Sequence, residues 1–201
     1  MRSPQTLSEA DRRLVAAWAA DCAERVLGLF EAEAPGDNRP RALIERTRAF
    51  ARGRLDTAEE IRRRFVGGVP RAEVRAPAAA AAARAAGQAV AVSHMGAHAL
   101  GAAAYAAKAA SLAAPDRPRV VNEEIRWQLT HMTAEVRAAL RTLPLIGENS
   151  SGPLGPGLLA RGQLATIIRD LQAGISQSAR TDPGLSELVS PEFDPSSRSA
   201  S

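Results

Sequence analysis

The chain reads as an all-α protein, an irregular multi-helix bundle or solenoid-like array of about seven to nine helices with a disordered C-terminal tail. Three observations predict this. Alanine supplies 43 of 201 residues while Phe, Trp and Tyr together supply 7, and helices favour alanine where strands favour aromatic and β-branched side chains. Apolar residues recur at steps of three and four over most of the chain, the period of a half-buried helix. Helix-starting and helix-stopping residues punctuate those runs. No fixed repeat period of the kind that marks regular solenoids is present.

The elements follow in order. Ser8 is a candidate N-cap with Asp11 three residues on, and Leu14, Val15, Trp18, Cys22, Val26, Leu29 and Phe30 form an apolar stripe, which predicts one helix over about 8–34. Pro35-Gly-Asp-Asn38 stops it. Pro40 in a first turn, where its missing N–H is harmless, opens a second helix to about residue 54, with Leu43, Ile44, Thr47, Phe50, Ala51 and Leu55 inward. Asp56 and Glu59 form a capping box for a third, ended by Gly67-Gly-Val-Pro70. The alanine-rich stretch 76–113 breaks at Met95-Gly-Ala97, giving helices over about 77–93 and 97–113, the second with His98, Ala102, Tyr105, Ala109 and Leu112 on one stripe. Pro115-Asp-Arg-Pro118 is a turn. One or two helices follow over about 120–143, with Thr133 a candidate cap.

The domain expectation is a single helical domain over 1–176. It has a core at 7–143, a Gly/Pro/Ser linker at 144–157 and a last helix at 158–174. Residues 177–201 have a composition that cannot repay the entropy of folding and are expected to be disordered.

Charge is uneven. Of the 26 basic residues 25 are Arg and one is Lys108; residues 1–38 carry net −3, 39–84 net +7 and 85–201 net 0. A basic middle can attract nucleic acid or an acidic protein. Its two phenylalanines, Phe50 and Phe65, sit at core positions and not as stacking platforms, so nucleic acid is disfavoured as a partner. No run of about 18 apolar residues is present, and the first residues lack a signal-peptide core, so a membrane partner is not expected. A lone cysteine, Cys22, fits a reducing cytoplasm.

Two stretches carry a resemblance. Leu7-Ser-Glu-Ala-Asp-Arg-Arg-Leu-Val-Ala-Ala-Trp18 runs on to Glu31-Ala-Glu-Ala-Pro-Gly-Asp-Asn-Arg-Pro-Arg41 and Arg48-Ala-Phe-Ala-Arg-Gly53. Ala83-Arg-Ala-Ala-Gly-Gln-Ala-Val-Ala-Val-Ser-His-Met-Gly-Ala-His98 leads into Ala99 to Lys108. Together these resemble the bacterial Imm-5-like immunity proteins over about residues 7–130. The resemblance implies an all-helical cytoplasmic protein of an actinobacterium or similar bacterium. The implied role is to bind and neutralise a cognate polymorphic toxin.

Several residues of the chain bear chemistry of their own. His94 and His98 stand four apart, as two metal ligands on one helix face would, and a third ligand would come from His131, Glu123, Glu124 or Asp21. The glutamate of a zincin is missing and a helix break falls between the two, so structural helix-end histidines are the favoured reading and no metal or other cofactor is expected. Glu124, Trp127 and His131 share a helix face. With His94, His98 and Tyr105 they form the candidate pocket of an alternative reading, a small helical enzyme or ligand-binding protein of a biosynthetic cluster, which requires the three histidines to converge. Ser151-Gly-Pro-Leu-Gly-Pro-Gly157 lacks the amides and lysine of a phosphate cradle and reads as linker. Nothing assembles a nucleophile and base, which favours a binding role over an enzymatic one. Candidate partner-binding residues are Arg39, Arg41, Arg48, Arg52, Arg62, Arg63 and Arg64.

Overall fold

A computed structural model describes residues 3–56 and 74–177. The helix expected after Asp56, the Arg62–Arg64 run and the tail from residue 178 lie outside the described residues. Among these residues there are eight α-helices and no strand. They are α1 (Glu9–Glu24), α2 (Leu27–Glu31), α3 (Arg39–Ala51), α4 (Pro77–Ala91), α5 (His98–Leu112), α6 (Arg117–Thr130), α7 (Ala134–Arg141) and α8 (Gly162–Gln177), with a short 3-10 turn at Leu158–Ala160 before the last.

The local signals act as the residues dictate. Ser8 Oγ accepts the Asp11 N–H at 3.1 Å and starts α1, and Thr133 Oγ1 accepts from Val136 N–H to start α7. The first stripe does not make one helix. Arg25 and Val26 form a turn, with Val26 at φ −110° and ψ 1°, and α2 restarts to carry buried Leu27 and Phe30 onto α4. Arg25, still helical at φ −53° and ψ −31°, pairs at this break with Glu124. Residues 115–118 are not all turn either, because Asp116 accepts the Arg119 N–H and begins α6 at Arg117.

Helix α5 is the axis of the fold. It packs on α1, α4, α6 and α8, and residues 99–107 are buried without interruption. In place of the single inward stripe expected for it, the helix is enclosed on every side over 99–107, since side chains this small admit neighbours all round. The α4–α5 break is docked by the N-terminal turn that precedes α1. Gly96 N–H donates to Thr6 O and Ala97 N–H to Gln5 O, each at 3.0 Å. A Cβ on Gly96 would lie 2.4 Å from Leu7 Cδ1, so only glycine lets Leu7 seat there. Leu7 itself sits at φ +62°, a left-handed strain of about 1 kcal/mol that its packing offsets.

Residues 144–157 cross the same end of the molecule. Gln5 Nε2 donates to Ser151 O at 2.7 Å, and its Oε1 accepts the Leu154 N–H at 2.9 Å. Gln172 holds the other side, accepting from Ile146 N–H at 3.1 Å and donating to Pro144 O at 2.9 Å. Leu154 is fully buried. Gly162, at φ +55°, is the first residue of α8, with one residue between it and the 3-10 turn. Gly174 does not end that helix; it lets Leu129 approach where a Cβ would meet it at 2.4 Å.

Candidate functional site

Two cavities gather the chemistry-bearing side chains. The first, about 380 Å³, opens at the α4–α5 turn beneath Gly152, Pro153 and Leu158, with Gln88, His94, Met95, His98 and Tyr105 on its walls. His94 stands in the turn and His98 opens α5. Their ring centres are 5.1 Å apart at 59°. His98 Nδ1–H donates to Gln88 Oε1 at 2.9 Å, which leaves Nε2 with the lone pair. Gly101 makes this possible, since a Cβ there would lie 2.3 Å from Gln88 Oε1. Burial, with a smaller push from the neighbouring His94, drives the His98 pKa down to about 3, so the ring is neutral at physiological pH.

The second cavity, about 390 Å³, is walled by Asp21, Glu24, Arg25, Trp127 and His131. Arg25 makes a forked contact to Glu124, its Nε lying 3.1 Å from both carboxylate oxygens and its Nη2 3.0 Å from Oε2. The same guanidinium lies 3.8 Å from the centre of the Trp127 ring. His131 stacks on that ring at 4.1 Å and 22°, and its Nδ1–H donates to Trp127 O at 2.9 Å. Glu124 is buried and tied through Gln128 Nε2, at 3.2 Å, to the Ala103 carbonyl of α5. An Arg–carboxylate fork fixes both charge and plane, so Arg25 is a braced platform and not a free side chain.

The six pocket residues expected from sequence thus divide in two. His94, His98 and Tyr105 share the first cavity; Trp127 and His131 share the second, with Glu124 behind them. The three histidines do not converge, and among the described residues no three His, Cys, Asp or Glu side chains gather to hold a metal ion. Cys22 is buried, and that burial raises its thiol pKa, which leaves it protonated and unreactive.

The arginines are largely engaged within the chain. Arg39 forks onto Asp37, and these hydrogen bonds hold the Asp37 carboxyl below its usual range. Arg41 meets Glu31 at 2.7 Å. Arg48 meets Asp21 at 2.8 Å and also pairs with Glu24, which couples the basic stretch to the rim of the second cavity. Arg52 is exposed at the end of α3. Residues that the sequence did not single out are Arg25, Gln88 and Gln5; only their long-range partners mark them.

A family model described as "Imm-5 like putative immunity protein" matches residues 5–135. The chain belongs to this family. No curated protein and no solved structure matches it. All five residues of the second cavity fall within the stretch this Imm-5-like chain shares with its family, whereas Gly152, Pro153 and Leu158 over the first cavity lie beyond it. Among the described residues no helix of this Imm-5-like protein is long and apolar enough to cross a membrane.

Proposed function

We propose that this chain is a cytoplasmic immunity protein that neutralises a cognate bacterial toxin by direct protein–protein contact. Family membership over residues 5–135 carries the reading. The second cavity supports it with a docking surface of fitting chemistry. Trp and Arg dominate the energetics of protein interfaces when they are pre-positioned. Here Trp127 is half-buried beneath Arg25 and His131. Asp21 and Glu24 stand about half exposed at the rim. A rigid anchor loses little entropy on association. Arg39, Arg41, Arg48 and Arg52 would add charge that steers the toxin and sets on-rate more than affinity, and Arg62, Arg63 and Arg64 are further candidate contacts on their chemistry alone.

The test is co-expression with the toxin encoded beside this gene. Growth should be rescued and the two proteins should co-purify. Trp127→Ala should weaken the complex by about 30-fold, the roughly 2 kcal/mol of an interface anchor, while Arg52→Ala changes mainly the salt dependence of association. Absence of both rescue and binding would overturn the reading.

A further inference from the structure

We propose that His94, Met95 and His98 form a binding site for a soft monovalent transition-metal ion, copper(I), at the α4–α5 turn. The site is independent of whether a toxin docks on the separate cluster around Trp127.

The first support is spacing. Two imidazoles bound through nitrogen at about 2.0–2.1 Å to one ion in tetrahedral arrangement have ring centres about 5 Å apart. The His94 and His98 rings are 5.1 Å apart and tilted by 59°. Packed rings can also stand at that separation, so the surroundings of His98 decide between the two. Its Nδ1–H is engaged by Gln88 Oε1 at 2.9 Å. A ligating histidine characteristically donates its other nitrogen to an oxygen in this way, which fixes the tautomer and points basicity at the metal-facing nitrogen. The arrangement is built into the fold, because Gln88 reaches His98 only over the bare backbone of Gly101.

The donor set then selects the ion. Met95 lines the same cavity as both histidines and offers a thioether. Around them stand Gln88, Tyr105, glycines, Pro153 and leucines, with no carboxylate or thiol among the described lining residues. A neutral N/N/S set in an apolar cavity suits a soft monocation. A dication would lack the anionic ligands that offset its desolvation.

Purified full-length protein is titrated with copper(I), kept reduced by ascorbate, against the chromophoric chelator bicinchoninate, with zinc(II) run in parallel. One equivalent of copper(I) should be withheld from the chelator. His94→Ala, in a half-buried turn position that leaves the core intact, should abolish this, and Met95→Leu should weaken it. Gln88→Leu should weaken it about 10- to 100-fold, the usual effect of losing an outer-shell partner. His131→Ala and Cys22→Ala should leave it unchanged. Circular dichroism of each variant separates loss of the site from loss of the fold. The proposal is overturned if no copper is withheld, if the withheld copper follows Cys22 or His131, or if zinc(II) binds more tightly than copper(I).

Discussion

His98 couples the chemistry of one residue to the stability of the fold. Its pKa is depressed from 6.5 to about 3 by burial and by the adjacent His94. The folded state therefore binds its proton less readily than the unfolded chain does. Between these two values the unfolded state holds more protons, so stability rises with pH there. The contribution is whole above about pH 6.5 and is lost as pH falls toward 3. At about 1.4 kcal/mol per pH unit it amounts to roughly 3–5 kcal/mol. Urea unfolding at pH 7 and pH 4 should show this loss in the natural protein, and a much smaller one in His98→Gln. Equal slopes for the two proteins would refute the assignment. Gly155 is a second position where one atom matters. A Cβ there would lie 2.7 Å from the Ser151 carbonyl carbon and oxygen, and backbone cannot step aside as a side chain can. Gly155→Ala should cost about 1–3 kcal/mol. Gly36→Ala, where nothing lies within 4 Å, should be neutral or slightly stabilising in the same thermal melts.

At the scale of elements, the N-terminal segment and the crossing at 144–157 brace each other. Gln5 supplies both hydrogen bonds that fix Ser151 and Leu154, and the segment it fixes covers the His94–His98 cavity. Gln5→Ala should leave helix content unchanged and cost about 1–3 kcal/mol, two hydrogen bonds at typical net value. Hydrogen exchange is the sharper readout. Amides of residues 147 and 154–155 should exchange faster while those of α5 do not, because local opening is confined to the segment that lost its tether. Gln5 was invisible to sequence reasoning, since its partners stand some 150 positions away. What could be read were signals whose causes are local. Ser8, Thr133 and the Met95-Gly-Ala97 break announce their own caps and turns, and the structure keeps all three. The turn at Arg25 and Val26 was not legible. The apolar spacing runs through it unbroken, and the Glu124 that Arg25 meets there stands 99 residues along the chain. The candidate pocket failed to assemble as one for the same reason: helical spacing put Glu124, Trp127 and His131 on one face, but only tertiary packing decides which histidines meet.

For the whole molecule, α5 determines where everything else stands. The α4, α6 and α8 helices and α1 all rest on it, and it meets them with alanines whose exposure is zero from Ala102 to Ala104 and at Ala106 and Ala107. Close packing of this kind has no slack, so an added isobutyl group must push a helix aside. Ala106→Leu should destabilise by about 1–3 kcal/mol and lower the melting temperature by roughly 2–12 °C for a chain of this size. Ala138→Leu, at an exposed site on α7, serves as the control and should move it little. The consequence reaches the proposed docking surface. Gln128 on α6 hangs from the Ala103 carbonyl and bonds Glu124, which in turn holds Arg25 against Trp127. An α6 displaced by Ala106→Leu should therefore blur this cluster and weaken toxin capture without touching any contact residue, which intrinsic Trp fluorescence and a pull-down would report together. Unaltered fluorescence and binding in a protein whose melting point has fallen would mean that the docking surface does not depend on the central helix.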